Sequence, residues 1–201
     1  MAETIFTIGH STHSLEHFLG LLKQHLIGAV CDVRSTPYSP RNPQFNRENI
    51  KRSLRDVEIV YVFLGRELGA RSDDPACYEE ARVQYDRLAK TELFRRGIKR
   101  VRDGMGKYRV ALMCAEKDPL DCHRTILVSR QLEALGMRVE HILADGALES
   151  HGDVLIRLRE RLHLPESDLF RSPAEVMEDV YRMQGERIAY EMEEMTGGTT
   201  E

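Results

Sequence analysis

The chain has 201 residues, 41% apolar and 31% charged, with 29 Lys and Arg against 33 Asp and Glu. That is the size of one domain, or one domain with a modest extension, and a net charge of −4 excludes a global electrostatic footprint for nucleic acid or membrane. The apolar run Val110–Ala115 spans six residues where a membrane crossing needs ~20, and the opening MAETIFTIGHS lacks the features of a secretory signal, so the expectation is a soluble, cytoplasmic protein with no membrane partner.

Thr4–Ile8 is a short β-branched run ending at Gly9 and reads as a strand. Ser14 is placed to cap a helix in which Leu15, Phe18, Leu19, Leu22 and Leu26 recur at helical spacing. Ala29–Val33 reads as the next strand, so the first 33 residues form a βαβ unit, which calls for a parallel pair. Pro37, Pro40 and Pro43 hold an extended loop. A helix over Arg47–Arg55 leads to a third strand, Ile59–Leu64. Gly65 and Gly69 open the middle region, which is expected to continue as helix from about Pro75. Tyr108–Cys114 carries the strongest strand pattern. A helix to Leu135 with Gly136 as its cap, a strand over Met137–Leu143 and a helix over Val154–Leu162 follow. A last helix starts at Ser172-Pro173, an N-cap followed by proline at the first helical position.

This alternation predicts an α/β fold: a Rossmann-like three-layer domain with a mainly parallel sheet and helices on both faces, plus a C-terminal helical extension. The expected division is a core over 1–146, a helical extension over 147–195 packed on it, and a disordered tail at 196–201. Val176, Val180, Tyr181, Met183, Ile188 and Tyr190 form an apolar stripe in the extension, suited to the sheet or to a second copy. A homodimer through the C-terminal helices is therefore one expectation.

Charge is unevenly spread. Residues 166–201 hold ten acids and three bases, whereas Arg34–Arg55 holds six bases against Glu48 and Arg95–Arg109 seven against Asp103. Solvated helix faces are the ordinary reading of such stretches, and phosphate contact the sharper one. The four cysteines, Cys31, Cys77, Cys114 and Cys122, are too few for a disulfide framework and read as free thiols.

The reactive side chains collect just after predicted strands. Gly9, His10 and Ser11 follow the first; Asp32 and Arg34 stand at the end of the second. The fourth opens into Cys114-Ala115-Glu116-Lys117-Asp118-Pro119-Leu120-Asp121-Cys122-His123-Arg124. In a parallel sheet the carboxyl ends of all strands share one edge, where ligands bind. Asp118-Pro119 reads as a helix start, which places Cys122, His123 and Arg124 in the first turns, where backbone N–H groups favour anions and lower thiol pKa. Cys114 taken alone has the ordinary reading of a small buried hydrophobe.

Spacing excludes several chemistries. A phosphatase-type loop needs arginine six residues after the cysteine, and Leu120 stands there after Cys114. Neither a P-loop nor a GxGxxG turn is present. Cys114, Cys122 and His123 are soft zinc ligands by type, with His10 a fourth, but seven residues between the cysteines is no usual zinc-ribbon interval. No cofactor is indicated by the sequence.

Five segments, TIGHS at 7–11, DVRSTPYS at 32–39, NPQFNRENI at 42–50, YVFLGRELGAR at 61–71 and CAEKDPLDCHR at 114–124, carry a family likeness. Through them, and through RMQGERIAY at 182–190, the chain resembles the bacterial family known as domain of unknown function 488. The resemblance implies a Rossmann-like domain with a charged cleft and hands over no activity. Its signature positions here are Gly9, His10, Ser11, Asp32, Arg34, Cys114, Glu116, Lys117, Cys122, His123 and Arg124. The expected function is an enzyme on a phosphorylated substrate, a nucleotide or nucleic acid. Cys114 or Cys122 would act as nucleophile, His10, Glu116 and His123 as acids and bases, and Arg34, Lys117 and Arg124, with Gly9, Ser11 and Asp32, as the binding set. A non-catalytic nucleotide- or nucleic-acid-binding module and a Cys/His metal site stand beside it as alternatives.

Overall fold

The computed structural model describes residues 3–167 and 169–192; the tail expected at 196–201 lies outside the described residues. The strands are β1 (Thr4–Gly9), β2 (Ala29–Asp32), β3 (Val60–Phe63), β4 (Tyr78–Glu79), β5 (Arg82–Val83), β6 (Val110–Cys114), β7 (Arg138–Ile142) and β8 (Leu148–Ser150). The helices are α1 (Leu15–Gln24), α2 (Arg47–Arg55), α3 (Gly65–Leu68), α4 (Tyr85–Leu88), α5 (Glu92–Met105), α6 (Arg130–Ala134), α7 (His151–Arg161) and α8 (Pro173–Ile188).

A six-stranded sheet of order β3-β2-β6-β1-β7-β8 forms the middle layer. Its first five strands are parallel, and β8 alone runs antiparallel, against β7. Alternation along the strands divides the core in two. Phe6, Ile8, Val30, Ala111 and Met113 face α1 and α2, where Phe18, Leu22, Ile50 and Leu54 are buried. Ile5, Cys31, Leu112, Cys114 and Val139 face the other way, onto α3, α5, α6, α7 and α8. Each such fully buried large apolar side chain contributes ~1.5–3 kcal/mol of transfer free energy, so neither face tolerates a register slip. The result is the three-layer α/β fold.

Local signals act where the sequence places them. Ser14 Oγ accepts the His17 N–H at 3.1 Å, and α2 matches the expected Arg47–Arg55. Gly136 follows α6 at φ +82°, the left-handed position that favours glycine. Ser172 and Glu175 close a reciprocal capping box on α8.

Two expectations are corrected, and one strand was not foreseen. The chain after Pro75 is a single 3₁₀ turn, the β4–β5 hairpin and the short α4, and the long helix begins only at Glu92, capped by Thr91. Leu26 lies beyond α1 in a left-handed conformation and is 77% exposed, while Ile27, one residue on, is buried. The short strand β8 was not expected. It continues the sheet past residue 146.

α8 lies on the core of its own chain. Val176, Val180, Tyr181, Gln184 and Gly185 are buried, and Gln184 Nε2 donates to the Leu120 carbonyl at 2.7 Å. The apolar stripe that suggested a dimer is thus largely covered within the chain. Among the described residues no helix is long and apolar enough to cross a membrane.

Candidate functional site

The carboxyl ends of β1, β2 and β6 meet at the centre of the sheet, where Gly9 pairs with Cys114 and Asp32 with Met113. His10 N–H and Ser11 N–H continue the pairing by donating to the Cys114 and Ala115 carbonyls, each at 2.9 Å. Ser11 adopts φ +48°, an unfavourable region for a residue with a Cβ, and turns the chain over the rim. Gly9 is required by contact: a Cβ there would lie 1.8 Å from the Glu116 carbonyl oxygen.

Asp32 and Arg34 form a buried, two-pronged ion pair. Arg34 Nε and Nη2 donate to the two carboxylate oxygens at 2.9 and 2.7 Å, and the phenol of Tyr61 donates to the same carboxylate at 2.7 Å. Arg34 Nη2 also reaches the Phe45 carbonyl at 2.9 Å. Its Nη1 lies 3.0 Å from His10 Nε2. Guanidinium only donates, so His10 Nε2 is unprotonated and Nδ1 carries the hydrogen toward Ser11 O, 2.9 Å away. Burial, then the Arg34 charge, lowers the His10 pKa to about 4. Both its ring nitrogens are engaged within the protein, and its ring stacks on Phe45.

The segment after β6 gathers the thiols. Asp118 caps a 3₁₀ turn, Pro119–Asp121, by accepting the Leu120 N–H at 3.0 Å. Cys122 then takes extended backbone, and helix starts at His123, passing through a π-helical stretch, Arg124–Ser129, into α6. Cys122 therefore stands just before the helix and not in its first turn. The proline turn is spent before the cysteine, and the Cys122 sulfur takes a capping position, accepting the Arg124 N–H at 3.4 Å.

Cys114, Cys122 and His123 present ligand-type atoms that all lie within 4.8 Å of one another. His123 Nδ1 is 3.7 Å from Cys114 Sγ and 3.9 Å from Cys122 Sγ. Its Nε2 is 3.1 Å from the Val33 carbonyl, which can only accept, so Nε2 is protonated and Nδ1 is the atom that meets the sulfurs. Cys122 Sγ lies 2.9 Å from Glu116 Oε2. Burial by itself would push both thiols up. At Cys122 the Cys114 thiol, Arg124 and His123 outweigh it and hold the pKa low; at Cys114 burial and its neighbour Cys122 push the pKa high. Burial and the Cys122 charge also raise the Glu116 carboxyl.

Arg124 is fully buried below this group. Its Nη1 donates to the Glu116 carbonyl at 2.9 Å and its Nε to Thr7 Oγ1 at 3.3 Å. A buried relay runs on from there: Thr7 Oγ1 to His141 Nδ1 at 2.7 Å, His141 Nε2 to His151 Nδ1 at 3.1 Å, and His151 Nε2 to the Tyr181 hydroxyl at 2.9 Å. Thr7 is wholly buried, so its hydrogen goes to His141 Nδ1, which orders the whole chain and keeps both histidines neutral. Sequence reasoning missed Thr7, His141, His151 and Tyr181. The available signal was a polar residue at a core-facing position in each of two strands, since Thr7 pairs with His141 in register.

Above the thiols opens a cleft of about 440 Å³ lined by His10, Ser11, Arg34, Tyr38, Glu116 and Lys117, with the hydroxyls and amide of Thr12, Thr36, Ser39 and Asn42. Gly9, Asp32, Cys114, Cys122, His123 and Arg124 lie beneath it and not in its lining. Of the two basic stretches only Arg34 reaches this cleft. Lys51, Arg52 and Arg55 line a separate groove beside β3, and Arg95, Lys99 and Arg102 a larger one, about 630 Å³, against α6. The lining of the larger groove holds no cysteine or histidine.

Residues 14–131, more than half of the chain, match the family described as Domain of unknown function DUF488. The chain belongs to the DUF488 family. No curated protein and no solved structure matches it. The DUF488 segment contains Asp32, Arg34 and the whole run Cys114–Arg124, and excludes Gly9, His10 and Ser11. The relay residues Thr7, His141, His151 and Tyr181 also fall outside it.

Proposed function

We propose that the rim cleft is the active site of an enzyme acting on a small phosphorylated substrate of nucleotide size. The observation that carries this reading is the position of Glu116, which lines the cleft and touches the buried Cys122 sulfur. A group shared between a ligand space and a thiol cluster is placed to move a proton between them.

The lining supports an anionic, oxygen-rich ligand. Arg34 and Lys117 are its two fixed cations, and Glu116 is its one acid. The hydroxyls of Ser11, Thr12, Thr36, Tyr38 and Ser39 offer donors without charge, and the volume falls within the ~300–1,000 Å³ usual for small-molecule sites. Arg34 is committed to Asp32 and His10, so in this reading Lys117 makes the direct phosphate contact and Arg34 sets the local potential. Arg124 supports from below, through the Glu116 carbonyl. Nucleic acid is the less favoured substrate, because the other basic groups line different grooves.

The test is calorimetric titration with nucleoside mono-, di- and triphosphates and their unphosphorylated nucleosides, followed by mass spectrometry of the recovered ligand. Phosphorylated compounds should bind, and Lys117→Ala should weaken them about tenfold, equivalent to ~1.4 kcal/mol. Turnover should disappear in Glu116→Gln with binding retained. A ligand that binds and is always recovered unchanged identifies a binding module instead; equal binding of nucleosides and nucleotides overturns the phosphate reading.

A further inference from the structure

We infer that Cys114 Sγ, Cys122 Sγ and His123 Nδ1 form a three-ligand site for a borderline-soft divalent cation, zinc by the donor set, with a fourth position beside Glu116. Spacing along the chain argued against a zinc ribbon, but folding supplies what that interval does not. β6 brings Cys114 to the sheet edge, the 3₁₀ turn brings the chain back, and Cys122 and His123 arrive as neighbours on either side of a helix start.

The distances fit. Zinc bound at ~2.3 Å from sulfur and ~2.0 Å from nitrogen with tetrahedral angles sets S···N edges of about 3.6 Å. The observed edges are 3.7 and 3.9 Å, and the third also lies within 4.8 Å. The imidazole is held as a ligand must be held. Its other nitrogen donates to the Val33 carbonyl at 3.1 Å, the second contact that fixes ring orientation and leaves Nδ1 for the metal.

Burial separates this reading from that of a bare nucleophile. Cys114 is 2% exposed and Cys122 1%; an attacking thiolate needs an open face, whereas a ligand does not. Two thiolates around a divalent ion also sum to no net charge, which removes the cost of burying them singly. Glu116, which lines the cleft, reaches this group, its Oε2 2.9 Å from Cys122 Sγ. Three protein ligands with one position left open is the arrangement of catalytic rather than structural zinc sites. The inference stands apart from the phosphate reading, because metal content is measured with no substrate present.

The experiment is elemental analysis and native mass spectrometry of the full chain, purified without chelator, loaded with zinc and exchanged into metal-free buffer. One zinc per chain is expected. Cobalt(II) loading should give the charge-transfer and intense d–d bands of a tetrahedral thiolate site. Cys114→Ser and His123→Gln should each lose the tight equivalent, with folding followed by circular dichroism, and Glu116→Gln should keep it. Because the cysteine variants are core substitutions, the cobalt spectrum of the wild-type chain supplies an arm that needs no variant. Metal content no higher than in a parallel control of Cys114→Ser/His123→Gln, cobalt bands without thiolate character, or a wild-type mass two hydrogens light with no metal (a Cys114–Cys122 disulfide) would each overturn the proposal.

Discussion

Gly9 and Glu116 touch backbone to backbone: nothing larger than hydrogen fits between the Gly9 Cα and the Glu116 carbonyl oxygen. That carbonyl also accepts from Arg124, so this contact sets the height of the loop over the thiols. Gly9→Ala should displace the loop and destabilise the protein by ~2–3 kcal/mol, the scale of core overpacking. Urea unfolding reads this directly. A change within ~0.5 kcal/mol would mean the loop moves freely.

The Asp32–Arg34 pair is the most enclosed ion pair of the rim, with side-chain exposures of 0 and 6%. Removing one member leaves the other charge buried and uncompensated, at ~3–5 kcal/mol. Asp32→Asn keeps the shape and some of the hydrogen bonds, so a loss near ~3 kcal/mol is expected in chemical denaturation. A neutral outcome would show that Arg34 finds water or another partner.

Acid should weaken the fold through histidines that the native chain holds neutral. His10, surrounded by Arg34, Asp32 and His13, and His151, buried in the relay, are each lowered to about 4 from an unfolded value of 6.5; His141 is lowered too, by burial and then His151. Above the unfolded value neither state binds the proton, and the stabilisation is complete. Between about 6.5 and about 4 the unfolded chain takes up protons that the native chain refuses, so stability falls as pH falls. His10 and His151 each contribute about 3 kcal/mol at most by the linkage factor. Urea midpoints measured from about pH 7.5 down to about pH 4.5 should decline, and His151→Gln should flatten the slope. A level profile would mean that these rings take up protons in the native state as readily as in the unfolded chain.

The relay predicts a graded response at its outer end. Tyr181→Phe removes the partner of His151 Nε2 and leaves a buried donor unsatisfied, a cost of ~1–3 kcal/mol. Hydrogen exchange should show the loss concentrated in α7 and α8. A uniform loss would mean the bond only adds to global stability.

The sequence was most legible where one local rule had no competitor. Ser14, Gly136 and Ser172-Pro173 marked helix ends because each cap is settled by residues next to it. Leu26 fit helical spacing, yet the chain had already left α1 there. The region after Pro75 misled because its hairpin is a two-residue pairing with almost no periodic signal. At the rim, strand ends told which residues meet, since parallel topology brings them together wherever the strands pair. They did not tell which side chains face a ligand. Asp32 takes up the Arg34 fork and Thr7 part of Arg124, and those partnerships depend on side-chain direction, which spacing does not encode.

The relay has a further consequence for comparing relatives. The family match ends at residue 131, whereas His141, His151 and Tyr181, which steady Arg124 through Thr7, all come later. The matched segment thus carries Cys114, Glu116, Cys122, His123 and Arg124, whereas His10 and the residues behind Arg124 lie in chain that the match leaves out. A homologue that keeps Cys114, Cys122, His123 and Arg124 but has a different C-terminal region must supply another brace. Grafting 14–131 alone onto a foreign scaffold would move the Cys114–Cys122–His123 cluster without His10 and without the chain that holds Arg124.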